Sequence, residues 1–189
     1  MSQAAAKNTQ SSKFSVREIC YTGLFAAVIA VMAQISIPMP LGVPMTMQTF
    51  AITLAAVVLG SKLSAMASLV YLILGAVGVP VLASFSGGID KFVGPTGGFL
   101  ISFPLMAYII GLGVEHLNAF KGAFPLAVVV GTVVNYIVGV ILFVIVAHST
   151  VAVAISACVL PFIPTAIIKA VLACAIGLNI RKRIPGLKA

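Results

Sequence analysis

Six apolar segments divide this chain, and they restrict its fold more than any other feature. They cover residues 19–37, 47–59, 64–79, 98–114, 123–146 and 151–180, with charges, prolines and glycines between them. Backbone polar groups inside a bilayer must be hydrogen-bonded within the chain, so such segments cross a membrane as helices. The charged fraction is only 7%, whereas soluble domains carry roughly 25%. We predict an all-α integral membrane protein, with six transmembrane helices in one compact bundle.

The positions of the basic residues predict domain limits and orientation. We expect a flexible N-terminus over residues 1–16, a transmembrane domain over 17–183 and a basic tail over 184–189. If six segments cross the membrane, nine of the eleven Lys and Arg residues lie on the side of the termini. Lys91 lies on the opposite side and Lys169 lies within a segment. The positive-inside rule therefore predicts cytoplasmic termini, and the net charge of +8 does not indicate nucleic-acid binding.

Two connections on the predicted outer side have unusual compositions. The first covers residues 36–46 and contains three prolines, and the second covers residues 78–99 and contains five glycines between positions 87 and 98. Irregular backbone beside a bilayer has to be buried in protein or line a watery cavity, because unpaired N–H and C=O groups are costly in hydrocarbon. We therefore expect both connections to cover the mouth of a ligand cavity that opens outward.

Lys169 is the cation within the sixth segment. A lysine near mid-bilayer costs about 2.5–3.5 kcal/mol on insertion scales, so we expect it to face a partner or a polar cavity. Pro161 and Pro164 should break this segment, and a half-helix starting near Thr165 would aim its N-terminus at the cavity. Together these features predict a site for a carboxylate or another oxygen acceptor. The alternative is that the prolines only kink the helix.

The other candidate ligand contacts are uncharged polar residues and glycines. They are Gln48, Ser86, Gly87, Gly88, Thr96, Gly97, Gly98, Asn135 and Tyr136. Each polar one could instead make an ordinary hydrogen bond between helices. Asp90 and Lys91 are interpreted as a solvated loop tip, with a role in a lid as the alternative.

The sequence gives no indication of catalysis or of metal binding. The run 94–98 lacks the Gly-Lys-Ser/Thr ending with which phosphate-binding loops reach phosphate and magnesium. Neither a nucleophile–base pair nor a cluster of metal ligands is apparent. Cys20, Cys158 and Cys174 are isolated within apolar segments and are interpreted as thiols facing lipid or the core. We predict that the chain is not an enzyme, has no metal site and does not itself hydrolyse ATP.

The first segment carries a face of small residues. The spacing of three or four positions places these residues on one side of a helix, and they are Gly23, Ala26, Ala27, Ala30 and Ala33. A face of this kind allows another helix to approach closely. The approaching helix could belong to this chain or to a partner subunit.

Three motifs together resemble the BioY family, the biotin-binding S-components of energy-coupling-factor (ECF) vitamin transporters. They are PMTMQTFAITLAAVVLG at 44–60, PVLASFSGG and GPTGGF within 80–99, and PFIPTAIIK at 161–169. The resemblance covers roughly residues 17–183. It implies a six-helix, multi-pass subunit of the bacterial plasma membrane that binds biotin from outside and needs no cofactor of its own.

The resemblance also implies partners. An S-component works with a transmembrane coupling subunit of the EcfT type and two cytoplasmic ATPases of the EcfA type, which alone use ATP. In S-components, an Ala-x-x-x-Ala pair on the first helix contacts the coupling subunit, and Ala26 and Ala30 match that pair.

One position departs from the family pattern. Ala166 stands where these proteins commonly carry an aspartate, three residues before the lysine that matches Lys169. A carboxylate there would accept hydrogen bonds from the ureido ring of biotin, and its loss could cost about 1.5–3 kcal/mol. Asn135, Ser86 or Thr165 could replace it as acceptor, binding could be weaker, or the ligand could be a biotin precursor or another carboxylated vitamin. A membrane protein without transport function is the alternative of another class.

Overall fold

The computed structural model describes residues 15–39, 42–116 and 123–184. Most of the predicted N-terminal segment and of the basic tail lies outside these ranges. The described chain forms eight α-helices, which are α1 Val16–Ala33, α2 Gln48–Leu59, α3 Ser61–Ala76, α4 Asp90–Val93, α5 Gly97–Glu115, α6 Ala123–Val146, α7 Val151–Cys158 and α8 Ile163–Arg183. Two short antiparallel strands, β1 Ser36–Ile37 and β2 Met45–Thr46, connect α1 to α2.

Four helical stretches in the described chain are long and apolar enough to cross a membrane. They are α1, α5, α6 and the 33-residue stretch from Val151 to Arg183. The helices α2 and α3 are shorter, with 12 and 16 residues. Eleven of the twelve residues of α2 are buried, so this short helix is surrounded by protein rather than by lipid.

The predicted segments correspond to helices, but two of them differ from the structure in their limits. The first was expected over 19–37, whereas α1 covers Val16–Ala33 and residues 36–37 form β1. The third was expected over 64–79, but α3 begins at Ser61, because Gly60 adopts a φ of 84° and turns the chain within one residue. The sixth is divided into α7 and α8 by a 3-10 turn at Leu160–Phe162, which confirms the predicted break. The helix α8 starts at Ile163, two residues before the predicted start, with Pro164 in its first turn, where no backbone donor is required.

Small residues allow the helices to pack closely. A Cβ atom on Gly111 of α5 would overlap the backbone of Ser61 in α3, and one on Gly139 of α6 would overlap the ring of Phe99 in α5. Gly177 of α8 lies against Val57 of α2 in the same way. Helices in membranes associate through such packing, because lipid supplies no hydrophobic driving force.

The end of the bundle that carries both termini of the described chain is called the terminal face. Here the last residue of α5, Glu115, accepts hydrogen bonds from the Ser61 backbone N–H at 2.7 Å and from the Ser61 hydroxyl at 2.8 Å. Arg181 of α8 donates to the carbonyls of Val58 and Val57 at 3.0 and 3.4 Å. Charged side chains from other helices therefore cap the start of α3 and the end of α2.

Candidate functional site

A cavity of about 290 Å³ lies at the opposite end of the bundle, called the loop face. The segment from β2 into α2, the connection between α3 and α5, and the first turns of α5 and α8 all contribute to its walls. The helices α2, α5 and α8 begin at this face, so their positive dipole ends and free N–H groups lie near the cavity. This arrangement favours a ligand that carries negative charge or oxygen acceptors.

Lys169 faces this cavity from the second turn of α8, as predicted. Its ammonium group donates a hydrogen bond to the backbone carbonyl of Thr46 in β2, at 2.7 Å. The half-buried lysine thereby ties α8 to the hairpin. An ammonium group has three protons, so two remain for a ligand.

Asn135 is buried beside the cavity, at 2% exposure. Its amide nitrogen donates to the Ser102 hydroxyl at 2.7 Å and to the Phe99 carbonyl at 3.1 Å. Both amide protons are therefore occupied by α5, and the group left for a ligand is the Oδ1 acceptor.

Gln48 also lines the cavity, but its side chain is engaged by the protein. Its amide oxygen accepts from the Thr46 hydroxyl at 2.8 Å, and its amide nitrogen donates to the Tyr71 hydroxyl. These bonds join β2, α2 and α3 at the cavity wall. Gln48 therefore positions Thr46, whose carbonyl holds Lys169, and has little capacity left for a ligand.

Apolar and aromatic side chains form most of the remaining wall. Phe99, Phe103 and Phe162 line it together with Tyr136, which packs edge-on against Phe99 at 6.5 Å between ring centroids. Ala166 lines the same wall, one turn before Lys169. Flat apolar surfaces with a few convergent polar groups are typical of small-molecule sites.

Lys91 is a cavity residue that the sequence interpretation placed at a solvated tip. It lies in the short helix α4, its side chain is 43% exposed, and it forms an ion pair with Asp90 at 3.2 Å. It lines the cavity together with Lys169, whereas no carboxylate occurs among the described lining residues. A four-residue helix between glycines gives no usable periodicity, so the sequence offered no signal for this position.

Ser86 and Thr96 line the cavity as predicted, but four predicted glycines do not. A Cβ atom on Gly97 or Gly98 would overlap backbone atoms of Phe92 or Val138, so these two residues permit the start of α5 to pack. Gly87 and Gly88 serve the geometry of the connection, Gly88 with a φ of 110°. These four glycines therefore do not line the cavity, and a ligand contact at them stays a prediction.

Hydrogen bonds hold the two connections together above the cavity. Gln34, after α1, donates to the Val81 carbonyl at 3.1 Å and accepts from the Phe85 backbone N–H at 2.7 Å. The hydroxyls of Ser36 and Ser84 lie 2.9 Å apart. Ser84 and Phe85 adopt φ values of 58° and 54°, a conformation that costs non-glycine residues energy and persists only when neighbours impose it. Both connections cover the cavity, as predicted, with residues 40–41 outside the described chain.

The small-residue face of α1 is divided between the core and the surface. Ala26 is 3% exposed and packs within the bundle, and Ala30 is half-buried. Gly23 and Ala27 are exposed. Ala26 is thus covered by other parts of this chain, and the contact of Ala26 and Ala30 with a coupling subunit stays a prediction.

These features define the class of protein, which is a membrane-embedded binding protein with a covered cavity for a small apolar ligand that carries acceptor or anionic groups. Comparison with known proteins then gives the family. The BioY family model matches residues 6–186, and this chain belongs to that family.

Two curated relatives match over nearly their whole length. The biotin transporter BioY of Thermotoga maritima is 42% identical over 168 residues, which cover 88% of this chain and 97% of the relative. The biotin transporter BioY of Rhizobium etli is 34% identical over 186 residues, which cover 93% of this chain and 98% of the relative. This membership confirms the predicted family and the expectation of a transport protein rather than an enzyme.

A solved structure shares the fold. The crystal structure of the S-component for biotin from an ECF-type ABC transporter superposes with a TM-score of 0.80 at 27% identity, covering 88% of this chain and 92% of that one. The predicted all-α integral membrane fold of the S-component type is confirmed.

Proposed function

We propose that this chain is the biotin-binding S-component of an ECF-type uptake transporter in a bacterial plasma membrane. It binds biotin at the loop face, which faces outward, and both termini lie in the cytoplasm. A coupling subunit and two ATPases supply the energy for release inward. The observation that carries the proposal is the covered cavity with Lys169 and Asn135 in its wall, in a chain whose relatives are biotin transporters.

Biotin has three chemical parts, and the cavity offers a partner for each. The ureido carbonyl accepts from the free protons of Lys169, and a ureido N–H donates to Oδ1 of Asn135. The apolar bicycle packs against the phenylalanine side chains of the wall. The carboxylate lies towards the mouth, where Lys91 is partly exposed.

Ala166 supports a second candidate ligand class. Without a carboxylate at this position, the ureido ring loses one strong acceptor, which favours a precursor or another carboxylated vitamin with different donors. Calorimetry on the purified protein shows which ligand class binds more tightly, when biotin is compared with dethiobiotin, which keeps the ureido ring and the carboxylate. We expect a heat of binding with biotin, and a comparable heat with dethiobiotin only when the concentration of dethiobiotin is higher. Tight binding of another vitamin in the absence of a biotin signal would overturn the ligand assignment.

The variant Ala166→Asp sharpens the test. A carboxylate that accepts a ureido N–H should tighten biotin binding about tenfold, because a hydrogen bond to a charged group contributes about 1.5 kcal/mol or more. The matched control is Ala166→Asn, which places an uncharged amide of the same size at the same cavity position. If both variants bind biotin like the original chain, the ureido ring does not lie at position 166.

We propose that the coupling subunit docks on the exposed small residues of α1. Gly23 and Ala27 lie one turn apart on the surface and permit close approach of a partner helix. Ala27→Leu should abolish biotin uptake by cells that contain the whole transporter and leave biotin binding unchanged. Ala175→Leu on α8 is the control and should transport normally. Normal uptake by Ala27→Leu would place the docking surface elsewhere.

The orientation has its own test. A cysteine introduced as Lys91→Cys in a variant without native cysteines should react with a membrane-impermeant maleimide added to intact cells. A cysteine introduced as Lys182→Cys should react only after the membrane is opened. The reverse pattern would place the loop face in the cytoplasm.

A further inference from the structure

A second, larger hollow lies on the side of the bundle, between α6 on one wall and α7 and α8 on the other. Its volume is about 550 Å³, and we call it the lateral groove. Its rim includes Val133, Ile137 and Ile167, which are 46%, 52% and 59% exposed on apolar membrane-crossing helices. The groove therefore opens into the hydrocarbon region of the membrane.

The lining of the lateral groove offers almost nothing to a polar ligand. It consists of aliphatic side chains apart from Thr132 and Tyr136. The hydroxyl of Thr132 donates to the carbonyl of Val128 at 2.8 Å, within its own helix. The groove thus matches a flexible hydrocarbon chain and no compound that needs hydrogen bonds.

A partner helix fits the lateral groove less well than a hydrocarbon chain does. Helices associate in membranes where small residues allow close approach, and a helix with its side chains is about 10–12 Å across. The groove is lined mostly by valine and isoleucine, with Ala166 and Ala170 as its small residues. Gly23 and Ala27, the exposed small residues of α1, do not line the groove.

The lateral groove and the ligand cavity share a wall. Tyr136 and Ala166 line both of them. Ala166 contributes only a methyl group to this shared wall, so a molecule that fills the groove lies close to one that fills the cavity.

We propose that the lateral groove is a binding site for one acyl chain of a membrane phospholipid, and that the acyl chain completes the wall of the ligand cavity at Tyr136 and Ala166. The lipid site stands on the groove alone. Its influence on biotin rests on the function proposed above. An acyl chain in the lateral groove supports, through the shared wall, the bicycle of biotin bound in the cavity. Phospholipid and biotin should therefore each strengthen binding of the other.

Retained lipid provides the first test. The full chain is purified in detergent, washed until bulk lipid is removed, supplied with 1-palmitoyl-2-oleoyl-phosphatidylcholine, and examined by native mass spectrometry. We expect one tightly held phospholipid in the original chain. Ala170→Phe, which fills the groove without lining the cavity, should lose it. Ala175→Phe is the matched control on the exposed side of α8 and should retain it.

A variant on the other wall of the groove controls for misfolding of Ala170→Phe. Val133→Phe fills the groove from α6, where the side chain is already 46% exposed, and should also lose the lipid. Equal retention by all four proteins, or retention by none, would overturn the lipid site.

Biotin affinity provides the second test. Adding the same phospholipid to the delipidated protein should tighten biotin binding by about fivefold, the lower end of common coupling between sites. The two groove-filling variants should show no such gain. Biotin binding that is equal with and without phospholipid would overturn the coupling, whereas failure of every protein to bind biotin would overturn the proposed function and leave the mass spectrometry result standing.

Discussion

The two ends of the bundle satisfy their helix termini in different ways. At the terminal face, Glu115 and Arg181 come from other helices and use their charges on the backbone groups where α2 meets α3. At the loop face, Lys169 gives one hydrogen bond to the hairpin and Asn135 gives both amide protons to α5. The first end is closed by its own side chains, whereas the second keeps a charged donor and an amide acceptor available.

This difference separates stability from binding. Polar groups within or near a bilayer are costly, so they persist where they cap the protein or meet a ligand. The terminal face belongs to the first kind and the loop face to the second. Substitutions at the two faces should therefore change different measured quantities.

The largest expected effect is on the loop face. Lys169→Met removes the charged donor but keeps the length and apolar character of the side chain. We expect biotin binding to weaken about a hundredfold, because hydrogen bonds to charged groups contribute up to about 3 kcal/mol. Calorimetry measures the affinity, and Lys182→Met, at an exposed position of α8, is the control. Unchanged biotin affinity in Lys169→Met would remove this lysine from the site.

The second prediction concerns the terminal face. Glu115→Ala leaves the backbone N–H and hydroxyl of Ser61 without their partner, and Ser61 is 2% exposed. We expect a loss of about 2 kcal/mol in the free energy of unfolding, with biotin affinity changed by less than about twofold. Thermal unfolding in detergent measures the stability.

A comparison within the same chain controls the Glu115 result. Glu18 accepts from the backbone N–H of Ser15 at the exposed start of α1, at 2.8 Å. Glu18→Ala should cost about 1 kcal/mol or less, because exposed caps contribute less than buried ones. If Glu115→Ala weakened biotin binding as strongly as it lowered stability, the two faces would not be independent.

These residues also show which parts of the fold and of the site are predictable from the sequence. Hydropathy and charge placement predicted the helices, and a lysine preceded by two prolines predicted the cavity, since both signals are local. Gln34, Glu115 and Arg181 were not identified, because their partners are 47 or more positions away in the chain. Lys91 and the division of the α1 face depend on how helices rotate against each other, which one sequence does not determine.

The third prediction tests the neutral acceptor of the cavity. Asn135→Leu removes Oδ1 and the bonds to Ser102 and Phe99 while keeping a similar volume. We expect biotin binding about tenfold weaker, which is the effect of one buried hydrogen bond of about 1.4 kcal/mol. Thr132→Val on the same helix is the control, since Thr132 does not line the cavity. Equal affinities in the two variants would mean that Asn135 only joins α6 to α5.

The smallest expected effect lies at the rim of the loop face, where Lys91 pairs with Asp90 and, in the proposed complex, meets the carboxylate of biotin. Asp90→Asn removes the competing carboxylate at 3.2 Å, so the lysine becomes free to meet the carboxylate of biotin. The gain should be about twofold, because exposed ion pairs contribute roughly 0–1 kcal/mol, and it should shrink as salt is raised. Lys91→Ala should change the affinity in the opposite direction. Titrations of both variants with biotin at low and high ionic strength test this account. If α4 only shaped the cavity, both variants would bind biotin more weakly, and salt would not change the difference between their affinities.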